Sequence, residues 1–329
     1  MRNMIIATIV LLSVLATSSL GGEIVAWGDN AYGQGNVPDA NDFVKIAAGS
    51  YHNLALKSDG TLEAWGLNNY GQTNVPDGND FVAIAAGAYH SLALKSDGSL
   101  AAWGRNSQGQ CDVPAGTFIA IAAGENHNIA VKPDGFLEAW GQNDDGQCNV
   151  PDGNDFAAIA GADNYSFAIR NDGSLIGWGN YVAKIVMPGN DFLDIACQGE
   201  HYLVLRSDGS LSAWGQTNGY GDSFVPSGNN YIAVAVGDKI SAALRSDGSI
   251  IAWGQNQFGI WDEPEGKRYV AISVGLHHAI ALTGQVPPIC NPALEGDVDG
   301  DCMIDLADFV KMSRNWLECN LDPPEACWQ

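Results

Sequence analysis

The chain has 329 residues, 46% of them hydrophobic and 40 of them glycine, with 15 Lys and Arg against 38 Asp and Glu. That length holds one large domain plus a small appendage. A formal charge of -23 repels nucleic acid and anionic membrane surfaces at long range and favours solubility or cationic partners.

Residues 1–22 read as a signal peptide. Arg2 supplies a positive start, Met4 to Ala16 form an uncharged apolar run, and Ala16 to Gly22 offer small residues for cleavage. The apolar run is shorter than the ~20 residues a membrane span needs. No cysteine stands near the cleavage region, so a lipid anchor is not expected. Export to the medium or cell envelope follows as the expectation, with the mature chain starting near Gly22 or Glu23.

From Ile24 onward the sequence repeats. Trp-Gly recurs at Trp27, Trp65, Trp103, Trp140, Trp178, Trp214 and Trp253, every 36 to 39 residues. A period of this size means a propeller, a solenoid or an array. Within one unit, Val82 to Ala86, Leu92 to Leu94 and Leu100 to Trp103 read as short strands, the last two joined by Asp97-Gly98. Asp-Gly between apolar runs is a strong hairpin signal, because the turn needs positive φ. It recurs at Asp59-Gly60, Asp134-Gly135, Asp172-Gly173, Asp208-Gly209 and Asp247-Gly248. The Gly-Gln-x-x-Val-Pro piece reads as a fourth, outer strand whose Pro sits at an edge. The strand rich in Ala and Gly is expected innermost, where blades crowd the axis.

Counting halves gives the closure. Inner pairs begin at Phe43, Phe81, Phe118, Phe156, Phe192, Tyr231 and Tyr269; outer pairs begin at Ile24, Leu62, Leu100, Leu137, Leu175, Leu211 and Ile250. The chain opens on an outer half and leaves the repeats on an inner half, so the two complete a seventh blade. Such closure removes exposed sheet edges. The expected fold class is all-β: a seven-bladed β-propeller over residues 23–285, closed by its N-terminal strands in the outer pair Ile24 to Val37, then a linker at 286–295. A small helical module of EF-hand or dockerin type is expected at 296–329.

The phrases Ala-Trp-Gly-x-Asn-x-x-Gly-Gln, Ile-Ala-Ala-Gly-x-x-His-x-Leu-Ala-Leu and Ser-Asp-Gly resemble the regulator-of-chromosome-condensation repeat family over roughly Glu23 to Thr283. Blade five departs, running from Trp178 to Met187-Pro188 without Gly-Gln, and Tyr165 and Ile240 replace His in two blades. The compact units with Val-Pro linkers look most like the family's secreted propellers that inhibit β-lactamases. The resemblance implies a non-enzymatic, protein-binding disc.

The tryptophans end apolar strands in one register, which suits packing between blades. His52, His90, His127, His201 and His278 occur one per blade, which suits a repeated hydrogen bond better than a catalytic cluster. Alternating strand direction puts the Gly-x-x-His turns and the Asn-x-x-Gly-Gln loops on one face. That face would carry Tyr32, Tyr51, Tyr70, Tyr89, Tyr181, Tyr220, Phe258 and Trp261, with Asn30, Asn68 and Asn143 close by. Tyr and Trp offer large contact area for little lost freedom, so these are the candidate binding residues. Turn chemistry accounts for the aspartates of the other face. No nucleophile elbow, Walker loop or His-Glu-x-x-His is present, and no catalytic residue is assigned.

The tail carries the sharpest chemical motif, Asp297-Val298-Asp299-Gly300-Asp301-Cys302-Met303-Ile304-Asp305-Leu306-Ala307-Asp308. Carboxylates at loop positions 1, 3, 5, 9 and 12, with the Met303 carbonyl at 7, can wrap one Ca2+. An amphipathic helix from Leu306 to Glu318 is expected to follow, burying Phe309, Val310, Met312, Trp316 and Leu317. The segment resembles one half of a dockerin, which implies Asp297, Asp299, Asp301, Asp305 and Asp308 as ligands and a cohesin-like partner. One such repeat is present, and Cys302 stands where Gly is usual.

Cys290, Cys302, Cys319 and Cys327 suit disulfides in an oxidising compartment, with three pairings open. Cys111 and Cys148 sit at equivalent points on neighbouring blades, too far apart to bridge. Cys197 reads as a small core residue.

Three functions are compatible with these features. The first is an exported, monomeric, non-enzymatic propeller that binds a protein or cell-surface ligand and docks through calcium. The second is a secreted inhibitor of an extracellular enzyme, and the third a carbohydrate-active enzyme on this scaffold.

Overall fold

In the computed structural model, residues 21–180, 188–199, 201–215, 224–264 and 266–284 are described. The chain divides into two compact units, Met1–Gly284 and Gln285–Gln329. Residues 1–20 of the expected signal segment, the expected calcium-binding tail with Cys290, Cys302, Cys319 and Cys327, Tyr181 and Tyr220 lie outside the described residues.

The described residues form twenty-one strands in seven antiparallel sheets of three. β2 (Phe43–Ala48), β3 (His52–Lys57) and β4 (Leu62–Gly66) make the first complete sheet. The next two are β5 (Phe81–Ala86), β6 (His90–Lys95), β7 (Leu100–Gly104) and β8 (Ala120–Ala123), β9 (His127–Val131), β10 (Leu137–Gly141). Then come β11 (Phe156–Gly161), β12 (Tyr165–Arg170), β13 (Leu175–Gly179) and β14 (Phe192–Gln198), β15 (His201–Arg206), β16 (Leu211–Gly215). The sixth is β17 (Tyr231–Gly237), β18 (Ile240–Arg245), β19 (Ile250–Gly254). The seventh joins the two ends of the repeat region: β1 (Ile24–Gly28) pairs with β21 (His278–Thr283), which pairs with β20 (Tyr269–Val274). The expected closure is therefore present, with Ile24 opposite Leu282 and Gly28 opposite His278.

The first strand of each sheet packs on the first strands of its neighbours, so these Ala-rich strands surround the axis. Middle strands are buried throughout, as in β3, where His52 to Leu56 are all inaccessible. Between sheets the core is assembled from both neighbours. Leu56 and Leu62 of one blade, for example, meet Phe81 and Ala93 of the next, with Val75 and Trp103 at the margin.

The Asp-Gly turns form as expected. Gly60 has φ +83°, and a Cβ there would collide with the Asn79 carbonyl at 2.2 Å. Asp59 closes its turn by accepting hydrogen bonds from the Thr61 amide and hydroxyl at 2.9 and 2.7 Å.

One expectation is corrected. Gly-Gln-x-x-Val-Pro is a turn-rich crossing segment and not a fourth strand. Its donors are consumed locally: the Asn36 amide bonds the Gly33 carbonyl, Val37 bonds Gly35, and the Gly35 amide bonds Asn30 Oδ1. Few donors remain for a ladder. The segment instead carries the chain from the Gly-x-x-His end, where β4 finishes opposite His52, to the Asp-Gly end, where β5 starts opposite Lys95.

Candidate binding face

The Gln of Gly-Gln explains how the loops above the blades are held. Gln34, Gln72, Gln110 and Gln147 are fully buried. Each side-chain oxygen accepts the amide two residues earlier, from Tyr32, Tyr70, Gln108 and Asp145, at 2.8 to 3.0 Å. Each backbone carbonyl accepts the indole N–H of the next blade's tryptophan: Trp65 to Gln34, Trp103 to Gln72, Trp140 to Gln110 and Trp178 to Gln147. Trp27 closes the series on the Ile260 carbonyl at 2.8 Å. The tryptophans are thus braces between neighbouring blades.

The histidines form a second belt. His52 Nε2 meets Ser91 Oγ at 3.0 Å, His90 meets Asn128 Oδ1 at 2.9 Å, and His127 meets Ser166 Oγ at 2.9 Å. His201 meets Ser241 Oγ at 2.6 Å and His278 meets Asn53 Oδ1 at 2.7 Å. Each contact reaches the following blade. Ser91 and Ser166 give their own hydroxyl protons, and Asn53 and Asn128 their amides, to a Gln carbonyl. The oxygens facing these histidines therefore accept, and the Nε2–H of His52, His90, His127 and His278 donates. Desolvation lowers the pKa to about 3 at His52 and His127 and to about 4 at His90 and His278. All four are neutral at physiological pH and hold the ring together.

Above this belt lies the aromatic face. Three of the turns, those before β3, β6 and β21, are overlaid by the loop of the preceding blade, so residues 19 apart in sequence touch. Tyr32 meets Tyr51 edge-on at 5.1 Å and Tyr70 meets Tyr89 at 5.5 Å. Tyr51 and Tyr89 lie 6.2 Å apart across two blades. Phe258 stacks on His277 at 4.3 Å, and His277 reaches Tyr51 at 6.3 Å. Six rings thus form one continuous crescent over three turns. Tyr32 and Tyr70 are half exposed. Arg105 lies over both Tyr70 and Tyr89, 5.6 and 5.9 Å from their centroids.

Of the residues expected on this face, Tyr32, Tyr51, Tyr70, Tyr89 and Phe258 come together. Trp261 is exposed at the rim, its amide bonded to Asn256 Oδ1, and takes no part in the described ring contacts. Asn30, Asn68 and Asn143 serve their own loops: their amides bond Asn36, Asn74 and Asn149, and their carbonyls accept Gly35, Thr73 and Cys148. His277 and Arg105 belong to the crescent and were not among the expected residues. The 19-residue offset between each loop aromatic and the turn it covers is the signal that would have found His277.

The remaining turns carry charge. Desolvation and then the Asp163 charge raise the Glu125 pKa. The turns are joined edge to edge, Ala88 N–H to the Glu125 carbonyl, Glu125 to Ala162, Asp238 to Leu276 and Leu276 to Ser50. On the opposite end the scarce cations are committed to structure: Lys57, Lys95, Arg170, Arg206 and Arg245 each lie over the aromatic residue that opens their blade's first strand. Cys111, Cys148 and Cys197 are free thiols. Among the described residues no group of three His, Cys, Asp or Glu could hold a metal, and no helix is long and apolar enough to cross a membrane.

The regulator of chromosome condensation (RCC1) repeat model matches residues 43–72, 81–110 and 231–260. The chain carries an RCC1-like repeat propeller. Among solved structures, yeast RCC1 (Prp20) bound to Kap60 is similar at 18% identity, TM-score 0.71, over 83% of this chain and 91% of that one. Prp20p of Saccharomyces cerevisiae, in a study of its binding to Gsp1p and histones, is similar at 17% identity, TM-score 0.70, over 92% and 96%. The ectodomain of the Arabidopsis thaliana receptor kinase ACR4 is similar at 18% identity, TM-score 0.58, over 71% and 90%. At such identities the likeness is one of fold. No curated protein sequence matches the chain.

Proposed function

We propose that this protein is an exported, non-enzymatic binding propeller that captures a protein through the aromatic crescent of its Gly-x-x-His face. The observation that carries the reading is the continuity of that crescent, Phe258, His277, Tyr51, Tyr32, Tyr89 and Tyr70, with the His277 and Tyr51 turns joined by the Leu276 N–H to the Ser50 carbonyl and the Tyr89 turn joined to the next by the Ala88 N–H to the Glu125 carbonyl. Rigid aromatic anchors gain contact area with little ordering cost, which is how binding hot spots are built. The solved relatives named with Kap60, Gsp1p and histones support protein binding as a use of this fold. Function on a shared fold still rests on the site.

Replacing Tyr51, Tyr70 and Tyr89 together by Ala is expected to weaken partner capture at least a hundredfold, with the folded far-UV spectrum retained. Surface capture from the native medium or envelope, followed by affinity measurement on the purified partner, reads the effect. Unchanged affinity would remove the crescent as the site. Inhibition of an extracellular enzyme is the variant in which the captured protein is a catalyst, and a panel of purified β-lactamases tests it directly.

The second half of the proposal concerns the tail, and its support is the sequence alone. Asp297, Asp299, Asp301, Asp305, Asp308 and the Met303 carbonyl supply the six or more oxygens that Ca2+ takes. Calorimetry on the full mature chain is expected to show one calcium site, lost when Asp297 and Asp308 are both changed to Ala. Absence of binding heat in the unmutated chain would sink this half and leave the crescent untouched. With the calcium site occupied, a cohesin-like partner is expected to be retained, and calcium removal is expected to release it.

A further inference from the structure

The repeats allow one cleft of the face to be compared with another. Tyr70–Tyr89 and Tyr32–Tyr51 are equivalent pairs in successive blades, with ring separations of 5.5 and 5.1 Å and interplanar angles of 69° and 67°. The Arg105 amide bonds the Tyr89 carbonyl at 2.9 Å, and the Leu67 amide bonds the Tyr51 carbonyl at 2.9 Å, so residues 67 and 105 are also equivalent. Arg105 lays its guanidinium over the first pair, its Nε donating to Ser107 Oγ at 2.9 Å, within electrostatic reach of Glu125. Leu67 brings no charge to the second, and no described Lys or Arg lies over Tyr32 or Tyr51.

We infer that the Tyr32–Tyr51 cleft is the receptor for an arginine side chain presented by the partner protein, taking the place that Arg105 takes one blade later. This rests on the crescent being the binding face. Three features favour a guanidinium over other occupants. The ring faces attract cations, most strongly where water is displaced. The charges of Asp29 and Asp238 reach Tyr51. Asp29 already accepts the Ala31 amide and the Gln34 side chain, and an ionised carboxylate has acceptor sites left. At the place equivalent to Glu125 the open cleft has Ala88, and the counter-charge there comes from Asp29, since Asp238 is paired with Lys239 at 3.5 Å. The chain as a whole, at -23, steers such a partner in.

The probe is a blocked arginine, N-acetyl-arginine methylamide, titrated into the mature protein with ring-labelled tyrosine and followed by NMR. Saturable shifts are expected at Tyr32 and Tyr51, with a dissociation constant in the millimolar range, about tenfold weaker for the neutral isostere N-acetyl-citrulline methylamide. Leu67→Arg, which copies Arg105 into the equivalent place, is expected to abolish the shifts, as is Tyr32→Leu, which keeps the loop's volume. Arg105→Leu is expected to add a second site, seen at Tyr70 and Tyr89. Absence of saturation, equal shifts from citrulline, or undiminished binding in Leu67→Arg each overturns the inference. If the probe fails while the triple tyrosine variant still loses its partner, the inference falls and the binding face stands.

Discussion

On acidification from pH 7 to pH 4.5 the propeller is expected to lose roughly 10 kcal/mol of stability, enough to unfold a domain of ordinary stability. The cause is the histidine belt. His52 and His127 titrate at about 3 in the fold, His90 and His278 at about 4, because burial disfavours their charged forms. In the unfolded chain a histidine titrates near ~6.5. Between these values the unfolded state binds more protons, so stability is complete above the unfolded value and falls with pH below it. Each histidine withdraws about 1.4 kcal/mol per pH unit in that window. Urea titrations followed by tryptophan fluorescence at half-unit pH intervals are expected to give a slope approaching four protons between pH 6 and pH 4.5. His90→Gln, which keeps a donor toward Asn128, is expected to lower the slope by one. A stability flat from pH 7 to pH 4.5 would show that the belt is not buried neutral imidazole. The turn carboxylates do not confuse this test. Hydrogen bonds from Ser and Thr hydroxyls hold Asp59, Asp97, Asp172, Asp208 and Asp247 below the usual carboxylate value. Their stabilisation is present above that value and is lost only as pH falls through the lower, folded one.

The second large effect concerns closure. A chain beginning at Asp29 lacks β1 and leaves β21 as an open edge. Ile24 is buried against Phe43, Ile280 and Leu282, and Trp27 donates to the Ile260 carbonyl. The apolar burial of this strand alone is worth roughly 5 kcal/mol, which for a domain of this size lowers the melting temperature by about 10 °C. The five-residue ladder to Ile280 and its neighbours adds to that. Differential scanning calorimetry is expected to show the drop, with partial recovery when the peptide Glu23–Gly28 is added in excess, since an extended strand can pair with an exposed edge. A truncated chain that melts with the full one would mean the ring does not depend on its N-terminal strand.

Much of this was legible in the residues. The Trp-Gly period gave the blade number, and the order of halves gave the joining of β1 to β21. Asp-Gly at Asp59-Gly60 and its copies gave the hairpins, because only positive φ closes that turn. One histidine per blade pointed to a repeated bond, which His52–Ser91 and His278–Asn53 realise. The misreading of Gly-Gln-x-x-Val-Pro has a definite origin. Val and Pro read as extended, but the fate of the segment is decided by the Asn30 side chain, which takes the Gly35 amide, and by the Gly33 and Gly35 carbonyls, which take the Asn36 and Val37 amides before a ladder can.

The aromatic face was visible only in part. Tyr51 and Tyr89 stood out as the same position in two repeats, and Tyr32 and Tyr70 likewise. By itself the sequence determined the period, the closure and the alternation of strand ends, since these follow from local turn geometry and apolar patterning. That Tyr32, Tyr51, Tyr89 and Tyr70 join with His277 and Phe258 into one surface, with one pair capped by Arg105 and its equivalent left open, was decided only by the tertiary structure. The reason is physical: the loops of Tyr32, Tyr70 and Phe258 cross to the neighbouring blade, and the angle between radial sheets sets which side chains come within reach.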